Sequence, residues 1–240
     1  MSLTKYLLFK YLRFDKTQPF IMLSALLAFL GVGVGLMVLI VAMAIMNGFD
    51  KEFERKLFTM NYPITILSAI RGNIDESDVS ELKQKFPNLK FSPYIMSQVI
   101  IKGANSFEGG LLFGVNSADE KQINSVVAAG LEDRELDGYG LLVGQGVKNE
   151  MMINENDKLT LIFTKNDPSG FALTPKMKRF DVVSSFSSGL VAYDKSYLYT
   201  SVEALRKILE YDEGKFDGIH VFSDNPFTDI EKISRELRLG

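Results

Sequence analysis

The chain has 240 residues, a net charge of −3 and 46% hydrophobic residues, with a single His and no Cys or Trp. The absence of Cys excludes disulfides, thiolate metal sites and a Cys nucleophile. The lone His220 excludes a His–His metal pair. The near-neutral, slightly acidic balance gives no footprint for nucleic acid.

Residues 3–14, LTKYLLFKYLRF, carry Leu3, Tyr6, Leu7, Lys10, Tyr11 and Phe14 at helical spacing with basic residues between. Two readings stand: an amphipathic helix at a cytoplasmic membrane interface, or a helix packed on a partner domain. Pro19 then suits the first turn of a new helix.

Phe20–Met46 is a 27-residue run with no charge and no Asn, Gln or His. As a helix it is about 40 Å long, more than a hydrocarbon core of about 30 Å. Gly31, Gly33 and Gly35 lower helix propensity in water but are tolerated in lipid, where the backbone must satisfy itself. Ala42-Met43-Ala44 mimics a signal-peptidase site, yet the run is far longer than a signal peptide's apolar region. A buried helix of a soluble protein is rarely apolar all round for this length. Lys5, Lys10, Arg13 and Lys16 precede the span against Asp15 alone, whereas charges after it balance. The basic side stays cytoplasmic, so residues from about 47 onward lie outside, which in a bacterium means the periplasm. Phe49, Phe53, Leu57 and Met60 share one helical face, and Glu52 and Lys56 pair at i,i+4, so the helix is expected to continue as a stalk to about Met60.

Beyond the stalk, Pro63–Ala69 reads as a strand and 76–86 as a helix capped by Asp75 or Ser77, with Val79, Leu82 and Phe86 on one face. Leu89–Lys102 reads as a strand region interrupted by Pro93. Phe107–Val115 is another, with a bulge or turn at Gly109-Gly110. This β-α-β opening indicates a mixed α+β layer. Short helices are expected at Ala118–Asn124 and Gln145–Met151, and strands at Leu141–Val143, Leu159–Thr164, Phe180–Phe186, Leu190–Thr200 and Asp217–Phe222. Lys165–Lys178 has two prolines and a glycine and reads as a loop or hairpin tip. Ser201 caps a helix to about Glu210. Asn225-Pro226 opens a last helix with Phe227, Ile230, Ile233 and Leu237 facing inward. No second apolar span follows, so the chain reads as a single-pass protein or as the first part of a longer one.

No motif for chemistry stands out. Gly31-Val-Gly33-Val-Gly35 lies inside the span, and Gly144-Gln145-Gly146 lacks the third glycine and lysine of a phosphate cradle. No acidic cluster has the spacing of a calcium loop. Asp133–Asp137 reads as a solvated turn, and His220, in GIHVF, as a satisfied or exposed structural residue. The chain is therefore expected to be non-catalytic, with a mechanical or binding role and no cofactor or metal of its own.

AIMNGFDKEFERKL at 44–57 resembles the end of the first span in the LolC/LolE-type permease subunits of the bacterial lipoprotein-releasing ABC transporter, within the FtsX/MacB-like permease superfamily. FKYLR at 9–13 is similar to their basic segment before that span. FGVNSADEKQI at 113–123 looks like a G-hydrophobic-[ND]-P-x-x-E segment with Ser117 in place of proline. LLVGQGVKNEMMINENDKLTLI resembles a block in which Asp157 matches, but Glu155-Asn156 stands where glycine is expected. FDVVSSFSSGLVAYDKSYLYTSVEAL and GIHVFSDNPF resemble two further blocks. The set covers most of the chain in the right order.

The resemblance implies four spans, of which this sequence holds the first, with a large periplasmic domain after it. The implied fold is α+β: one long transmembrane and stalk helix, then a MacB-like porter-like lobe with an inserted β-rich lobe. Its implied divisions are a cytoplasmic segment at 1–19, a span at 20–46, the porter-like lobe at 47–117 and 199–240, and the insert at 118–198. It implies a permease that extracts lipoproteins from the outer leaflet of the inner membrane and hands them to a periplasmic LolA-like carrier. Its implied partners are a LolD-like cytoplasmic ATPase, which holds the ATP and Mg, a second permease copy or paralogue, the lipoprotein and membrane lipid. Carrier binding falls to the proline-containing hairpin with Pro168, Phe171, Leu173, Pro175 and Met177, for which a plain hairpin tip is the alternative. The lipid-facing side falls to Leu39, Ala42, Met43 and Met46, for which ordinary helix packing is the alternative. Two other functions compete: an FtsX-like permease driving a cell-wall hydrolase, and a single-pass periplasmic sensor or binding protein.

Overall fold

The computed structural model describes residues 19–68, 72–103, 106–163, 175–223 and 226–239. Two compact units are present, Met1–Glu54 and Arg55–Gly240. The amphipathic segment at 3–14 and most of the proline hairpin lie outside the described residues.

A single helix, α1 (Pro19–Asn61), carries the apolar run and continues through the charged turns beyond it. Its stretch Leu23–Asp50 is long and apolar enough to cross a membrane, and its residues are exposed. The proline at its first position has no amide to orphan, which suits a helix start.

In the second unit, β1 (Ile64–Leu67) leads through a short β2 (Ile74–Asp75) to α2 (Glu76–Lys85) and then β3 (Lys90–Lys102). Asp75 opens α2 in a capping box with Asp78, and Lys83 and Lys85 sit in its last turn, complementing the helix dipole. β1 and β3 both pair antiparallel with β10 (Gly218–Phe222), which lies between them. β1-α2-β3 is therefore a split β-α-β unit. Val79 and Leu82 of α2 pack on Ile64, Phe91, Ile219 and Val221 in one core.

β3 runs unbroken through Pro93, contrary to the expected interruption. The Asp217 amide donates to the Tyr94 carbonyl, so the backbone groups of Tyr94 point towards β10. Those of Pro93 then face the opposite side, where pairing with β4 (Phe107–Val115) stops at Tyr94–Val115. No ladder hydrogen bond is lost to the proline there. Gly109 and Gly110 form no bulge, since β3 and β4 stay in register from Lys102–Phe107 to Tyr94–Val115. Gly110 instead permits close approach: a Cβ there would lie 2.9 Å from Ile101 Cδ1 and 3.1 Å from the Ser196 carbonyl oxygen.

The remaining strands close a ring. After α3 (Ser117–Ile123) and α4 (Ser125–Leu131) come β5 (Gly140–Gly144), α5 (Gln145–Met151), β6 (Lys158–Phe163) and β7 (Lys176–Phe186). Then follow α6 (Val191–Asp194), β8 (Tyr197–Ser201), α7 (Val202–Leu209), β9 (Lys215–Phe216), β10 and α8 (Pro226–Leu239). β4 pairs with β8, β8 with β5, β5 with β7, β7 with β6, and β6 returns to the second half of β3. β3 thus serves β10 with residues 90–94 and β6 with residues 99–102. Closure removes the free edges of these strands. Ile101, Leu112, Leu141, Val143, Leu161, Phe163, Phe180 and Leu198 are all buried in the main core.

Other differences from the sequence reading have local causes. α4 was not foreseen; Asn124 starts it by accepting from the amides of Val126 and Val127. Leu190–Thr200 is not one strand. Asp194 accepts from the amide and hydroxyl of Ser188, which winds Val191–Asp194 into a helical turn before β8. β7 begins at Lys176 rather than Phe180, because Lys176–Arg179 pair with Thr160–Phe163. Ile233 is buried as expected in α8, but Ile230 is 47% exposed. Asn156 supplies the left-handed conformation that glycine was expected to provide, at φ +69°; Asn is the non-glycine residue best suited to it. Its amide donates to the Val182 carbonyl, and the Asp157 carbonyl accepts from Val182, so the turn still joins β7.

Candidate functional site

The end of α1 is where the sequence blocks that looked unrelated along the chain converge. Met60 is 1% exposed and packs with Tyr94, Phe113, Val127 and Tyr199. Asn61, the last helical residue, accepts a hydrogen bond from the Tyr193 hydroxyl of α6 at 2.6 Å. Tyr62 follows with φ +53° and is itself buried.

The Tyr62 hydroxyl donates to Glu120 Oε1. It receives a hydrogen bond from Asn124 Nδ2 at 3.0 Å and lies 3.3 Å from the Tyr199 hydroxyl. The Ser92 hydroxyl donates to the other carboxyl oxygen, Oε2, at 2.7 Å. Glu120 is fully buried, and burial raises its pKa despite the hydrogen bonds from Tyr62, Ser92 and Asn124, which favour the charged form. Burial first, and then the nearby Glu120, push the Tyr62 and Tyr199 hydroxyls well above their ordinary range. All three phenol and carboxyl groups are thus held as hydrogen-bonding partners.

His220 lies between two aromatic rings. Its centroid is 3.6 Å from that of Tyr62, at 8° to its plane, and 4.0 Å from that of Tyr94, at 17°. Burial pushes its pKa down to about 3, so the ring is neutral at physiological pH. Nδ1 has no hydrogen-bond partner among the described residues. The sequence reading expected a satisfied or exposed histidine; the ring is instead 4% exposed, stacked on both faces and unsatisfied at Nδ1 among the described residues.

The same neighbourhood explains other residues. Asn116 caps α3 by accepting from the amides of Ala118 and Asp119, which sets Glu120 on the inner side of that helix. Ser117, standing where the resembling segment has proline, accepts from the Leu136 amide at 2.9 Å and so fastens the following loop. Gly144 and Gly146 admit the backbone of α6. A Cβ on Gly144 would lie 2.1 Å from the Asp194 carbonyl oxygen, and one on Gly146 2.8 Å from it.

Sequence reasoning missed Glu120 and Tyr62. Glu120 sits in the segment read only as a short helix at Ala118–Asn124, and Tyr62 lies just past the expected end of the stalk at about Met60. The one available signal was Glu120 as the glutamate of the resembling G-hydrophobic-[ND]-P-x-x-E segment.

Leu39, Ala42, Met43 and Met46 lie on α1 at helical spacing, and all four are exposed. Of the hairpin residues, Pro168, Phe171 and Leu173 lie outside the described residues. Pro175 is exposed just before β7, and Met177 is exposed within it.

The model of the MacB-like periplasmic core domain matches residues 25–234. The chain belongs to the MacB-like periplasmic core domain family. It is 24% identical over 222 residues to the lipoprotein-releasing system transmembrane protein LolC of Neisseria meningitidis serogroup B, covering 88% of this chain and 52% of that protein. To LolC of Xylella fastidiosa it is 25% identical over 209 residues, covering 85% and 50%. To LolE of Haemophilus influenzae it is 24% identical over 240 residues, covering 95% and 56%. The chain spans about half the length of the curated relatives it matches. Among solved structures, the periplasmic region of MacB from Actinobacillus actinomycetemcomitans aligns with a TM-score of 0.47 and 19% identity, covering 72% of this chain and 80% of that one. The extracellular domain of the noncanonic ABC-type transporter YknZ aligns at 0.46 and 11%, covering 67% and 84%.

Proposed function

We propose that this chain acts in the permease subunit of an ABC transporter that extracts lipoproteins from the inner membrane and passes them to a periplasmic carrier. The supporting observation is similarity to LolC and LolE proteins over 85–95% of the chain, together with the family-domain match at residues 25–234. The long apolar helix Leu23–Asp50 suits a membrane span with a basic cytoplasmic flank before it. In this reading the chain is non-catalytic, and ATP and Mg belong to a separate LolD-like ATPase. Leu39, Ala42, Met43 and Met46 face lipid or the lipoprotein's acyl chains. The hairpin with Pro168, Phe171, Leu173, Pro175 and Met177 holds a LolA-like carrier, and residues 118–198 serve as the inserted lobe that presents it.

Phe171 is the largest apolar residue of that hairpin, so it is the expected anchor. Truncation to alanine at an interface hot spot costs roughly 1–3 kcal/mol of binding. The test pairs carrier affinity with the thermal midpoint of Phe171→Ala. The reading expects weaker binding at an unchanged midpoint. Unchanged affinity removes the hairpin's role, and a large fall in midpoint assigns Phe171 to the core instead.

A further inference from the structure

The residue that follows the last turn of α1 has a backbone conformation its side chain does not favour. A left-handed helix end is ordinarily occupied by Gly or Asn, and a bulky residue there is strained. Tyr62 occupies it at φ +53°. Such strain persists only where the surroundings over-determine it. Here they do, from several separate parts of the fold. His220 of β10 stacks on the ring, Glu120 of α3 takes the hydroxyl proton in a hydrogen bond, Asn124 donates to the hydroxyl, and Tyr199 of β8 adjoins it. Ser92 of β3 secures the far oxygen of Glu120. A helix stop requires none of these groups, and a buried carboxyl is costly unless its partners stay in place.

We propose that Tyr62 and Glu120 form a latch that locks the last turn of α1 to the β3–β10 sheet and passes displacement of that turn to the sheet. Tyr62 is a positioning residue in this assignment. Removing its hydroxyl leaves Glu120 buried without one partner, and removing its ring leaves His220 unstacked on one face. In either case the helix end loses its tie to the β3–β10 sheet, keeping those of Met60 and Asn61, while the sheet keeps its own pairing.

Amide hydrogen exchange on the full chain in detergent tests the latch. Tyr62→Gly and Tyr62→Phe are compared with Val79→Ala, a core change on α2. Exchange at 56–61 is expected to rise at least about tenfold in both Tyr62 variants, with β3 and β10 changing by less than about threefold and Val79→Ala leaving 56–61 unaltered. Glycine fits a left-handed helix end without strain. Unchanged or slower exchange at 56–61 in Tyr62→Gly would therefore show a mere helix stop and overturn the latch. Equal acceleration in the sheet and the last turn would also overturn it, by making Tyr62 an ordinary core residue.

The passing of displacement rests on the transporter reading and is measured in the assembled permease–ATPase complex. Lipoprotein released per ATP is expected to fall at least about fivefold in Tyr62→Phe and to stay near wild type in Val79→Ala. Wild-type release per ATP in Tyr62→Phe overturns that role. If the wild-type complex releases no lipoprotein, the transporter reading fails, while the exchange result still decides the latch.

Discussion

The Tyr193 hydroxyl donates to the Asn61 side-chain oxygen across 2.6 Å, joining two residues 132 positions apart in sequence. It ties the last residue of α1 to the α6 turn, whose own position depends on Ser188–Asp194 hydrogen bonds and on the glycines of the β5–α5 junction. Tyr193→Phe keeps the ring contact with Tyr197 and removes only this bond. A neutral hydrogen bond contributes about 0.5–1.5 kcal/mol, so denaturant unfolding should show a loss in that range. In a cycle with Asn61→Ala the double variant should cost no more than the worse single one. Simple additivity would show that the two side chains do not interact.

Gly144 and Gly109 should respond in opposite ways to alanine. A Cβ on Gly144 meets the Asp194 carbonyl oxygen at 2.1 Å, and backbone has little room to yield. Gly144→Ala should cost about 3 kcal/mol or more. A Cβ on Gly109 meets nothing within 4 Å. Gly109→Ala should be neutral or stabilising by about 0.4–1 kcal/mol, because alanine lowers unfolded-chain entropy. Thermal midpoints of the two variants check this; similar values would refute the close approach of α6.

His220 should give the protein an acid-sensitive stability. Burial lowers its folded pKa from 6.5 to about 3. Between those values the unfolded chain binds the extra proton, so stability rises with pH there. The contribution is complete above about pH 6.5 and is lost progressively as pH falls towards about 3. Tyr62, Tyr94 and Phe113 face the ring and stay uncharged in this range. Glu120, raised by burial, has the opposite sign: its contribution is present below its unfolded pKa and is lost as pH rises through the folded one. His220→Phe isolates the histidine. The wild-type chain should lose about 3 kcal/mol more than His220→Phe between pH 7 and pH 4. Parallel curves for the two would contradict the buried neutral histidine.

Much of the fold is legible because its causes are local. The uncharged Phe20–Met46 run and the caps at Asp75 and Ser201 each depend on a few neighbouring residues, and α1, α2 and α7 form where those signals put them. What escapes the sequence is long-range. Closure of the ring depends on β6 meeting β3 at Val99–Phe163, which no local pattern encodes. Pro93 reads as a strand break until the end of β4 at Val115 is known. The inner face of α3, which holds Glu120, is set only once Asn116 caps the helix, and the role of Tyr62 emerges only from His220 and Glu120, distant in sequence, that surround it.

The proposed orientation of α1, with its N-terminal flank in the cytoplasm, rests on the basic residues before its apolar run. Asn73 is exposed in the second unit. A cysteine at Asn73 should react with a membrane-impermeant maleimide in intact spheroplasts, and one at Ser2 should not. The reverse pattern would invert the topology.

The proposed movement of lipoproteins is read in their distribution between membranes in cells depleted of the full-length protein. Lipoproteins bound for the outer membrane should accumulate in the inner membrane, and restoring the protein should return them. A normal lipoprotein distribution on depletion, with altered cell-wall hydrolysis instead, would contradict it and favour a permease that drives a cell-wall hydrolase.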